Sequence, residues 1–174
     1  MYEFWVSRWE LLIADAPYLA SALAAAAAVI AVLDAIFKIR WRKVLTPPRI
    51  ALVAGTIALA ILLIYLTAPE RMGFAVGGGR LAVYVGWWGA PYGREYSLSD
   101  CALEWVNASS AHVMRIGYGG ARAAVGWLMV SGPGVKAEGY GIFVRGAEWI
   151  LIARCPDGTY VLGAPGLSPE AARD

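Results

Sequence analysis

Pro17–Phe37 (PYLASALAAAAAVIAVLDAIF) and Ile50–Leu66 (IALVAGTIALAILLIYL) are two apolar runs of 21 and 17 residues on either side of a short basic connector. A hydrocarbon core about 30 Å thick needs roughly 17 to 25 apolar helical residues to cross. Lipid cannot hydrogen-bond a backbone, so a crossing segment must satisfy its own amides, and a helix does this. The two runs therefore predict a transmembrane hairpin over residues 17–67. Glu3, Glu10 and Asp15 precede the first run, where a cleaved leader would be basic. Both helices are thus expected to remain with the chain.

The connector, within residues 38–49, holds Lys38, Arg40, Arg42, Lys43 and Arg49. Basic loops resist translocation, so this loop is expected in the cytoplasm and both termini outside the cell membrane. In residues 1–16, Trp5, Trp9 and Leu12–Ile13 recur at helical spacing, which predicts an interfacial helix among the outer headgroups. Ala20, Ala24 and Ala28 share one face of the first run. Small residues four apart let backbones approach, and Ala51 and Gly55 are the matching positions on the second. Self-association, or packing on a membrane-protein partner, is the corresponding expectation. Asp34 is the one carboxylate within a run. It invites a relay reading, but Lys38 lies one turn away and a boundary ion pair explains it better.

Residues 68–80 carry Pro69, Gly73 and Gly77–Gly79 and read as a linker. Beyond them, residues 81–174 alternate in short β-type runs: 81–88, 96–106 broken near Asp100, 113–118, 125–130, 140–145, 149–155 and 160–163. The Pro156–Thr159 stretch (PDGT) joins the last two as a hairpin turn. Ser168, Pro169 and Glu170 then announce a short C-terminal helix. The expected fold class is an α+β membrane protein: a two-helix hairpin, then a small, mainly antiparallel barrel of about seven strands.

The tail Trp149–Glu170 (WILIARCPDGTYVLGAPGLSPE), with Arg115–Gly119, Gly126–Trp127 and Lys136–Tyr140 upstream, resembles prokaryotic pleckstrin-homology-like domains. The resemblance covers about residues 80–174 and implies seven strands capped by a terminal helix, often beside membrane helices. The terminal helix departs from that pattern, with only Ala171 and Ala172 as apolar residues. The stretch Gly89–Glu95 offers Arg94 beside Glu95, which does not make a phosphoinositide pocket.

Cys101 and Cys155 stand 54 positions apart, which excludes a CxxC motif and a four-cysteine zinc site. An outward-facing domain permits a disulfide between them, and two buried free thiols remain the alternative. Trp87 and Trp88 are adjacent, so one must face outward, and with Tyr92 they form a candidate interface. His112 follows Ser109 and Ser110, but no GxSxG elbow is present and neighbours on a strand point to opposite faces. No catalytic residue, cofactor site or metal site is expected, and a net charge of +2 does not suggest nucleic acid. The expected role is a noncatalytic membrane-anchored interaction or assembly module, such as a small subunit of a membrane complex. The alternative is an accessory or sensory component of a transporter or envelope-stress system.

Overall fold

The computed structural model describes residues 1–37, 47–67, 69–85, 93–119 and 122–173. Strand β1 (Tyr2–Ser7) leads directly into helix α1 (Arg8–Phe37), and α2 (Pro47–Thr67) comes next. The chain then enters β2 (Arg71–Gly77), β3 (Arg80–Tyr84), β4 (Arg94–Ser97) and β5 (Ala102–Asn107). It continues through β6 (His112–Gly119), β7 (Ala123–Gly132), β8 (Val135–Val144), β9 (Trp149–Cys155) and β10 (Gly158–Gly163). Single 3₁₀ turns at Leu98–Asp100 and Ala108–Ser110 flank β5.

Two open sheets result, one ordered β1-β2-β3-β4 and the other β5-β9-β10-β8-β7-β6. The expected barrel is corrected, because no ladder joins the sheets among the described residues. The 3₁₀ turn after Ser97 lifts the chain off the first sheet, and it re-enters on the second at Ala102. Inner faces of both sheets meet in one core. Met72, Phe74, Val76, Leu81 and Val83 there pack with Val125, Ile142, Leu151 and Leu162. A second core, with Val106, Leu128, Val130, Ile150, Ile152 and Val161, lies on the other face of the larger sheet.

The last strand, β10, lies between β9 and β8, antiparallel to the first and parallel to the second. Both of its faces are covered, so Tyr160, Val161 and Leu162 read as a continuous apolar run. Where β8 runs beside it, a Cβ at Gly141 would collide with the Val161 backbone.

Three expectations fail at the N-terminal side. Tyr2–Ser7 is a strand, not an interfacial helix; Val6 is buried while Glu3 and Trp5 are exposed, a period of two. Residues 71–77, read as linker, are instead a core strand in which Met72, Phe74 and Val76 are wholly buried. The glycines misled because they serve the sheet. Gly78 and Gly79, with φ of 57° and 76°, form the two-residue turn joining β2 to β3. At Gly73 a Cβ would run into the Phe4 carbonyl of β1.

The membrane hairpin is also corrected: among the described residues, no helix is long and apolar enough to cross a membrane. The placement of loop 38–49 in the cytoplasm and of both termini outside the cell membrane falls with it. Helix α1 begins at Arg8, well before the apolar run, and takes in Glu10 and Asp15. Its first turns bury Leu11 in the sandwich core rather than in lipid, and alanine, weakly apolar, dominates its later turns. At the other end the expected helix is only a turn. The Ser168 hydroxyl accepts from the Ala171 N–H at 3.1 Å, and Arg173 N–H reaches the Glu170 carbonyl at 3.0 Å. Leu167 and Ala172 are buried in the main core.

Phe74→Ala should lower unfolding free energy by about 3–5 kcal/mol in urea titration, as expected for a fully enclosed ring. A loss of only a few tenths would show that β2 is peripheral.

Candidate functional site

Ser7 and Glu10 form a reciprocal cap at the start of α1. The Ser7 N–H donates to Glu10 Oε2 at 3.0 Å, and the Glu10 N–H donates to Ser7 Oγ at 3.1 Å. Arg8 Nη1 donates to the Leu66 carbonyl at 3.1 Å, and its guanidinium lies 5.5 Å from the Trp9 ring centroid. These contacts set the first turn of α1 beside the last turn of α2.

One side of the base of α1 is packed: Leu11 is buried, Leu12 touches the core, and Asp15 is buried. The other side is apolar and open, with Trp9 exposed and Ile13 at 72% exposure. Trp5 of β1 is exposed as well, its ring 5.1 Å from Tyr84. Along α2 every residue from Ala54 to Ala60 is exposed, and so are Leu62, Leu63 and Leu66. None of these α2 positions carries a charge. An apolar helix without a polar face is a buried helix in its working state. This pair, apolar and open, is the candidate interaction surface.

A polar seam ties the two sheets together at β4. The Tyr96 hydroxyl donates to Asp157 Oδ1, in the turn between β9 and β10. Its one proton being so engaged, it accepts from the Tyr160 hydroxyl at 2.6 Å. Arg94 Nε stands 3.6 Å from the same Asp157 carboxylate. Burial first, and then the bonds to Asp157 and Tyr160, push the Tyr96 phenol far above its ordinary value of 10.0. The phenol is therefore held protonated as a strut. The sequence signals the Asp157 turn but not its partner on β4, sixty-one positions away.

Close to this seam, Cys101 and Cys155 form a disulfide that joins the start of β5 to the end of β9. Ala20, Ala24 and Ala28 are exposed on α1, and Gly55 is exposed on α2 with no described atom within 4 Å of a Cβ placed there. The expected close approach between these positions is thus not seen among the described side chains. Trp87, Trp88 and Tyr92 lie outside the described residues, as do the side chains of Asp34 and Ala51. His112 is exposed at the start of β6. Among the described residues, no group of three His, Cys, Asp or Glu side chains could hold a metal ion.

No protein-family model, curated protein or solved structure matches the chain.

Reducing the disulfide opens a loop of 54 positions. On the chain-entropy account this costs about 4 kcal/mol, so the urea midpoint should fall on adding dithiothreitol. Tyr96 gives a pH signature. A phenol whose folded pKa is raised contributes stability that is fully present below pH 10.0 and lost as pH climbs above it, because the unfolded chain releases the proton first. Stability of the native chain should therefore fall between about pH 10 and pH 11.5, and Tyr96→Phe should flatten that fall. Tyr2, also raised by burial, leaves some slope behind. An unchanged alkaline limb in Tyr96→Phe would remove the strut role.

Proposed function

We propose that the protein is a noncatalytic interaction module that assembles with further copies of itself, with the β sandwich as a rigid base and the helical pair as the contact element. One observation carries this reading: every residue of α2 from Ala54 to Ala60 is exposed, and none carries a charge. Burying such surface is worth about 25 cal/mol per Å², a strong drive toward association.

The match between the two helices favours a second copy as occupant. Helix α1 offers small exposed side chains at Ala20, Ala24, Ala25 and Ala28. Helix α2 offers large ones on one face at Leu59, Leu62, Leu63 and Leu66. One chain thus carries both a shallow groove and the ridge to fill it. A two-fold pairing would satisfy both at once, each copy laying α2 into the α1 groove of the other.

Sedimentation of the purified chain at micromolar concentration should show a dimer or higher species. Leu59→Glu with Leu63→Glu should shift it to monomer with helical circular dichroism retained. A native chain that stays monomeric, or that partitions onto phospholipid vesicles without self-associating, would overturn the proposal.

A further inference from the structure

Arg115 on β6, Arg122 at the entry to β7 and Arg145 at the exit from β8 line one cleft of about 440 Å³. The sheet register brings the last two together: Ala123 pairs with Val144, and the Arg145 N–H donates to the Arg122 carbonyl at 2.9 Å. Among the described residues the remaining walls are Val113, Met114, Ala123, Ala124 and Phe143, so this lining holds three arginines, an apolar floor and no carboxylate. Its volume lies within the range of small-molecule sites.

The charges there are unevenly answered. Arg122 has Glu10 at 3.9 Å, a loose pair at the cleft edge. Arg115 and Arg145 have no acidic partner among the described residues. Elsewhere on the same sheet, Arg154 is closely paired, with Nη1 2.7 Å from Glu104. Arg115 stands opposite Leu128, five positions from Ala123, and so lines the cleft further along β6; it and Arg145 are the two left unbalanced.

We propose that this cleft is a binding site for a dianion with a small apolar group, of the phosphate monoester class. Two unbalanced guanidiniums match the charge of a phosphate monoester near pH 7, which is about −1.5 to −2. Planar guanidinium groups offer paired N–H donors that fit phosphate oxygens. Phe143, half-buried in the floor, takes the apolar portion. This inference is independent of the helical pair, which contributes only Glu10 at the rim.

Phenyl phosphate is the probe, with its binding read by titration of the amide resonances of Arg122, Ala123, Ala124 and Phe143. Saturable shifts are expected, tighter than those from inorganic phosphate or phenol. Arg115→Gln and Arg145→Gln should each weaken binding about two- to fivefold, given their exposure. Glu10→Gln, which keeps an oxygen to accept the Ser7 N–H but frees Arg122, should tighten it about twofold. Arg154→Gln should leave it unchanged. Absence of saturable binding at millimolar phenyl phosphate, or an equal loss in Arg154→Gln and Arg115→Gln, would overturn the site.

Discussion

The antiparallel ladder between β1 and β2 is the constraint on which the rest of the molecule depends. Tyr2 pairs with Val76 and Ser7 with Arg71, and the Arg8 N–H extends the ladder to the Glu70 carbonyl at 3.2 Å. Both helices are therefore an excursion between two neighbouring strands of one sheet. The ladder fixes where the helices leave the sandwich, and the Ser7–Glu10 cap and the Arg8–Leu66 bond fix how they leave. Without β1, the inner face of β2 would lose the cover of Tyr2, Phe4 and Val6.

The larger sheet depends on a different kind of contact. Its central strand, β10, is the last of the described strands in sequence, and it lies between β9 and β8. Tyr2 then reaches the Pro165 carbonyl with its hydroxyl at 2.9 Å, which joins the first residues to the last. The Tyr96–Asp157–Tyr160 seam and the disulfide fasten the β9–β10 end to β4 and β5. Hydrogen bonds and a covalent bridge thus hold the rim, while apolar burial holds the middle. Exposed apolar helical side chains and an arginine-lined cleft lie outside this core.

Local signals located most of the strands after residue 80. The apolar runs near 113–118, 125–130, 140–145, 149–155 and 160–163 coincide with β6 to β10, and the break near Asp100 is a true 3₁₀ turn. Period-two alternation and turn glycines need no knowledge of partners, which is why they could be read. The β1 strand was obscured because Trp5, Trp9 and Ile13 also satisfy a helical spacing that straddles the strand–helix junction at Ser7. The β2 strand was obscured because Gly73 and Gly77–Gly79 look like linker until β1 is seen lying against them. The arginine cleft left no trace in the sequence: Arg122 and Arg145 meet through the register of β7 and β8, and β6 brings Arg115 into the same cleft.

Composition and spacing settled that this chain has two apolar helices, a β-rich remainder and two cysteines without a metal-binding pattern. Those properties reside in neighbouring residues, where side-chain polarity and backbone preference act over a few positions. Only the folded chain decided that residues 2–7 and 71–77 pair, that the sheets stay open, and that β10 becomes a central strand. Each is a contact between distant segments, selected by which apolar faces can cover one another at the same time. The same tertiary choice sets the base of α1 against the β core at Leu11 and leaves apolar side chains such as Ile13, Leu59 and Leu63 exposed.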